Sequence, residues 1–131
     1  MNIRLLLTSC LVLVGASSLW AHHSLAAEYD TSKPISLTGT LTSVDWRNPH
    51  AWIYMDAKTA SGTIEKWQCE LGSPNAMARA GFGRKSANPG DEIVLDGVLA
   101  KDGSKTCSTR VVKAKDGHVL YSQSDRDRQA K

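Results

Sequence analysis

The alternation of apolar and polar positions lays out strands before anything else. Ile35, Leu37 and Leu41 fall on one side of the stretch Ile35–Trp46, with hydroxyl residues and Gly39 between them, the period-two pattern of a half-buried strand. After Leu41 the apolar phase moves to Val44 and Trp46. That shift predicts a β-bulge, which would bend a long first strand so that it serves both halves of a small barrel. A second strand is expected over Ala51–Lys58 and, past the turn Thr59–Gly62, a third over Thr63–Leu71. On the third, Trp67, Cys69 and Leu71 share the core face, while Lys66, Gln68 and Glu70 share the other.

The pattern then changes to helix punctuation. Ser73 suits an N-cap, Pro74 the first helical position, the interior is alanine-rich, and Gly81 stops it, so a helix of about two turns is predicted. Phe82–Pro89 reads as a loop carrying Arg84 and Lys85. A fourth strand follows over Glu92–Ala100, with Ile93, Leu95 and Leu99 inward. Lys101–Ser104 forms a hairpin turn into a fifth strand, Thr106–Lys115, and Asp116–Gly117 turns into a short sixth, Val119–Tyr121. The expected fold class is mainly β: a small five- to six-stranded OB-like barrel with one short helix between strands three and four.

Residues 1–21 do not belong to that domain. Arg4 supplies a positive start, Leu5–Val14 an apolar core too short for a comfortable membrane span, and Ser17–Ala21 a small-residue cleavage region, the three parts of a signal peptide. Cleavage after Ala21 predicts a periplasmic or secreted protein with no stable membrane insertion. Its parts would be an N-terminal arm at 22–34, the barrel at 35–121 and a charged flexible tail at 122–131.

Export changes the meaning of the cysteines. Cys10 leaves with the leader, and Cys69 and Cys107 remain as one pair in an oxidising compartment. The OB-like order makes the third and fifth strands neighbours, so the two would face each other and a disulfide is expected. Their spacing lacks the close pairs of a thiolate metal site. The net charge of +3 falls closer to neutral once Arg4 is removed, and the charges are interspersed. No nucleic-acid partner is therefore expected.

Candidate chemistry gathers at Val44–Met55, where Trp46 and Trp52 bracket the Asn48–Pro49 turn and His50 follows it. With cleavage after Ala21, His22 would be the amino terminus. Its α-amine and imidazole can chelate one metal ion, with His23, His50 or, less plausibly, His118 adding nitrogen ligands. Such a set favours copper or zinc, and no other cofactor is expected. The sequence does not place Tyr29 or Met55 relative to that site. The competing view is that His22-His23 is a polar start and His50 an ordinary turn histidine.

A second candidate is an aromatic binding face of Trp46, Asn48, Trp52 and Tyr54 for a small molecule, glycan or protein partner. Its bland counterpart is that these rings simply fill the barrel. No catalytic residues are assigned: Ser73 lacks a nucleophile-elbow context, and Asp45, Asp56, Glu65 and Glu70 read as solvated strand faces. Arg84 and Lys85 can hold an anion, although solvated loop charge is the usual meaning. A non-enzymatic binding protein is expected.

His22-His23-Ser24, Leu37-Thr38-Gly39, Trp46–Trp52, Glu70–Asn75 and Pro89-Gly90-Asp91 together resemble a family of small exported bacterial proteins, domain of unknown function family 6152. The resemblance covers nearly all of the mature chain and implies export and a compact β domain, with no established activity. Cys69 and Cys107 depart from the family pattern, which makes a disulfide a feature of this chain, and His118 is likewise its own.

Overall fold

The computed structural model describes residues 25–124. A single helical turn, α1 (Leu25–Glu28), leads into β1 (Tyr29–Asp45), followed by β2 (Trp52–Lys58), β3 (Ile64–Glu70), α2 (Pro74–Arg79), β4 (Glu92–Ala100), β5 (Thr106–Ala114) and β6 (Val119–Ser122). The fold is mainly β, with six strands and the expected short helix between the third and fourth. The segment read as a signal peptide and most of that read as a charged tail lie outside the described residues, and no helix among those described is long and apolar enough to cross a membrane.

The strands form one sheet in the order β3-β2-β1-β4-β5-β6, with an additional pairing of β3 on β5. That additional pairing is parallel, from Gln68↔Thr106 to Glu70↔Ser108, and the other strand pairs are antiparallel. β1 is long because it serves two partners. Its first part lies on β4, up to Thr40↔Glu92, and its second lies on β2, from Gly39↔Ala57 to Asp45↔Trp52. The predicted bulge occurs between Leu41 and Ser43. Consequently Leu37 and Leu41 are buried before it, and Val44 and Trp46 pack on the same core after it.

One boundary differs from the sequence reading. The strand begins at Tyr29, inside the segment expected to be an arm, because Tyr29 pairs with Ala100 and Pro34 with Val98 across a register shift. Between them Asp30–Lys33 is largely exposed and shows no alternation. Polar, unburied strand of this kind leaves no period-two signal.

The core is the set of inward positions the alternation singled out. Ile53, Met55, Trp67, Cys69, Leu71, Ile93 and Leu95 are buried, with Leu99 packed against them. α2 and the turn after it close one side with Met77 and Phe82, and the helix entry is built as expected: the Ser73 hydroxyl accepts from the Ala76 N–H and Pro74 opens the helix. Gly81 then takes φ +88°, where a side chain is disfavoured. Cys69 and Cys107 are register partners on β3 and β5, with Cα atoms 4.6 Å apart, and form a disulfide.

On the outer surface of β4, Asp96 accepts from Lys113 Nζ at 2.7 Å and from the Ser36 hydroxyl at 2.6 Å, tying three strands together. Lys113 first, then Ser36, hold its carboxyl below the usual aspartate range. A depressed folded pKa contributes stability above the unfolded value of about 3.9, and that contribution is lost as pH falls through the folded value. Asp96→Asn should therefore lower stability at pH 7 by up to about 1 kcal/mol, since the pair is partly solvated. The deficit should vanish in strong acid, which urea unfolding at a series of pH values will read; a deficit independent of pH would refute it.

Candidate functional site

β2 separates its side chains as the alternation requires. Ile53, Met55 and Ala57 are buried, while Trp52 and Tyr54 face outward and are half-buried. Pairing carries that outer face across the sheet. Trp52 stands opposite Asp45 on one side and Glu70 on the other, and Glu70 stands opposite Ser108. Directly opposed side chains project to the same face. The transverse row Asp45, Trp52, Glu70, Ser108 is thus continuous.

The turn before β2 brings His50 onto this row. The Asn48–Pro49 peptide is cis, Asn48 is exposed, and Ala51 exchanges backbone hydrogen bonds with Leu71 and Gly72. His50 Nδ1 hydrogen-bonds Glu70 Oε1, and the Tyr29 hydroxyl donates to the other carboxylate oxygen, Oε2. The side chain of Glu70 is only 13% exposed, against 50% for His50. Burial first, and then the bond to Glu70, push the Tyr29 phenol well above the ordinary tyrosine value. It remains a neutral donor at any physiological pH.

Glu70 was expected on a solvated strand face. It is instead a nearly buried bridge between a phenol and an imidazole, because residues distant in sequence cover it: Tyr29 lies forty-one positions earlier. No local pattern reports such a contact. Through Nδ1, Glu70 fixes the orientation of the His50 ring.

A pocket of about 180 Å³ opens beside this group, lined by Leu25, His50, Glu70, Leu71, Ser108, Thr109 and Gln123. It lies where β3 and β5 part, since Glu70↔Ser108 is their last pair. Thr109, 3% exposed, has its Oγ1 buried with no hydrogen-bond partner among the described residues. Neither Tyr29 nor Thr109 was marked as a pocket residue by sequence pattern.

The remaining candidates divide. Met55 belongs to the core. His118 sits in the turn between β5 and β6 and does not line the pocket. His22 and His23 lie outside the described residues. Among the described residues no group of three or more His, Cys, Asp or Glu is arranged to hold a metal ion.

Trp46 leaves the aromatic face altogether. It packs on the core side, its ring stacked on Phe82 with centroids 5.8 Å apart and the Arg84 guanidinium 5.6 Å from its own ring centroid. The phase change at the bulge is the reason: Val44 and Trp46 turn inward while Asp45 stays with Trp52. Arg47 covers Trp52 at 6.0 Å and pairs with Asp45. Trp52 and Tyr54 remain together as an outward pair.

These features define a small, mainly β domain that carries a His–Glu–Tyr group on one face of its sheet, under the residues that precede β1. The profile described as "Family of unknown function (DUF6152)" matches residues 10–109, and the chain belongs to that family. No curated protein matches it. Among solved structures, "Crystal structure of the ZRD-deleted mutant of TiaS in complex with agmatine" is similar at 17% identity and a TM-score of 0.47, over 65% of this chain and 22% of that one. The chain spans about a fifth of that protein's length.

Proposed function

We propose that this protein is an exported, periplasmic, non-enzymatic binding module, an OB-like barrel that takes up copper or zinc through His50 and the mature amino-terminal residues His22 and His23. The barrel reading is supported by the β3–β5 pairing, which gives each of β1 to β5 a partner on both sides, and by the helix between β3 and β4. Signal-peptide cleavage after Ala21 would free the His22 amine.

The observation that carries the metal reading is the setting of His50. Its Nδ1 is held by a carboxylate that is itself held by Tyr29, the kind of support that orients imidazole ligands and raises their basicity. Leu25 lines the same pocket. At no more than 3.8 Å between successive Cα atoms, His23 and His22 lie within about 8 and 11 Å of Leu25 along the chain. A stretch that short allows His22 and His23 to be brought to the pocket that Leu25 lines.

The test is a copper and zinc titration of the chain beginning at His22, its amino terminus verified by intact mass. Tight stoichiometric binding is expected, lost on acetylating the terminal amine and weakened at least tenfold in His50→Ala. Glu70→Gln should weaken it about 10–100-fold through loss of the carboxylate that holds the His50 ring. Affinity no greater than that of a free His-His peptide would end the metal reading.

A second reading rests on Trp52 and Tyr54. They form an outward aromatic pair, and Tyr54 borders a shallow pocket of about 250 Å³ with Gln68 and Thr106, a surface suited to stacking a small molecule or glycan or to receiving a protein partner. Trp52→Ala should abolish that binding and spare the metal, whereas His50→Ala should do the reverse.

A further inference from the structure

We infer that the outward pocket beside Tyr54 binds one ring of a neutral sugar, and that Gln68 is the residue that reads its hydroxyls. The inference rests on the aromatic reading above and names the ligand class for it. Tyr54, Gln68 and Thr106 are successive cross-strand partners on β2, β3 and β5. Their side chains therefore project to one face, and all three line the pocket.

Gln68 is held in one orientation. Its Nε2 donates to Thr106 Oγ1 at 3.1 Å, and that oxygen is hydrogen-bonded in turn to the Ser104 hydroxyl at 2.8 Å. The amide oxygen and the second N–H are left without a bond among the described residues. An acceptor and a donor side by side on one planar group match two adjacent hydroxyls, one giving a hydrogen and one taking it. The Tyr54 ring offers a flat apolar surface for the C–H face of the same sugar. The pocket's 250 Å³ equals about eight water volumes, room for a single ring.

Charge decides between a neutral and an ionic ligand. Lys66 and Lys105 line the pocket, which by itself favours an anion. Both already have a carboxylate: Lys66 Nζ lies 3.2 Å from Asp56 and Lys105 Nζ 2.9 Å from Glu65, and Lys105 also covers the Trp67 ring at 5.3 Å. An incoming anion has to compete with those partners. A hydroxyl only needs one of the ammonium hydrogens that remain. No carboxylate lines the pocket, so a cation finds no counter-charge there.

The experiment is an NMR titration of the chain beginning at His22 with the methyl glycosides of glucose, galactose, mannose and N-acetylglucosamine, following the Gln68 side-chain amide and the Tyr54 ring. At least one glycoside should give saturable shifts with a millimolar Kd. Gln68→Leu alters an exposed side chain and leaves Thr106 its bond to Ser104, so the variant folds; it should bind at least tenfold more weakly, as should Tyr54→Ala. Glucuronate at low ionic strength should bind no more tightly than the methyl glucoside. Silence with all four glycosides, unchanged affinity in Gln68→Leu, or tighter binding of glucuronate would overturn the inference.

A parallel titration with indole, which stacks but has no pair of hydroxyls, separates this inference from the reading it rests on. Saturable shifts of the Tyr54 ring with indole but with no glycoside refute the sugar and leave the aromatic pair as a binding surface. No response to either refutes the sugar and confines the aromatic pair to a protein partner.

Discussion

Reducing the Cys69–Cys107 disulfide should lower the midpoint of thermal unfolding by about 15–30 °C. The bond closes a loop with a sequence separation of 38 residues. In the chain-entropy account, constraining the unfolded chain over a loop of that size contributes about 4 kcal/mol, and each kcal/mol moves the midpoint of a domain of this size by roughly 4–8 °C. Both sulfurs are fully buried in the core, so the Cys69→Ala, Cys107→Ala pair also loses packing and should fall at least as far. Calorimetry with and without reductant measures the first effect. A midpoint insensitive to reductant, once free thiols have been counted, would mean that the sheet pairings hold this fold without the bond.

Gly39→Ala should be comparably damaging for a different reason. Gly39, like Thr40 after it, is a residue at which β1 is paired on both edges, here with Ala57 on β2 and Ile93 on β4. A Cβ there would lie 2.0 Å from the Asp56 carbonyl oxygen and 2.7 Å from the Ala57 Cα. These are backbone atoms of a paired strand, which cannot swing aside as a flexible side chain would. Relief requires β1 and β2 to separate locally, at a cost of about 3 kcal/mol or more. Denaturant unfolding should show the loss as a lower midpoint with unchanged slope. Gly103→Ala is a useful contrast: its φ of +78° brings strain, but no atom lies within 4 Å of the added methyl, so the expected loss is nearer 1 kcal/mol.

Local rules and long-range contacts divide what the sequence discloses here. The alternation found the core faces of β2, β3 and β4, and the change of phase after Leu41 located the bulge, because burial on one side of a pleated strand leaves its mark at every second residue. Ser73, Pro74 and Gly81 marked α2 because caps depend on nearby backbone alone. The disulfide was legible because strand order makes β3 and β5 neighbours. The start of β1 was missed, since Asp30–Lys33 is exposed and carries no period.

The site was half legible by the same logic. His50 and the outward pair Trp52 and Tyr54 follow from the turn and the strand period. Trp46 did not join them, although the bulge that turns it inward was itself predicted. Glu70 resembled any solvated strand carboxylate, and only the return of Tyr29 over β3 gives it a role. Thr109 borders the same pocket only because β5 pairs with β3 there. Both facts belong to tertiary pairing and have no counterpart in neighbouring residues.

The bond from Tyr29 to Glu70 also bears on the order in which the domain assembles. Glu70 lies forty-one residues beyond Tyr29, and the backbone partner of Tyr29, Ala100, lies later still. Contacts between distant positions bear the loop-closure cost before they return any stabilisation. The amino-terminal end of β1 therefore has nothing to settle on until β3 and β4 are in place, and it is the last stretch of that strand to be fixed. A nascent chain would complete the rest of its sheet first and close its His–Glu–Tyr group afterwards, so hydrogen exchange should find the Tyr29 amide opening well before those of Leu37 and Leu41.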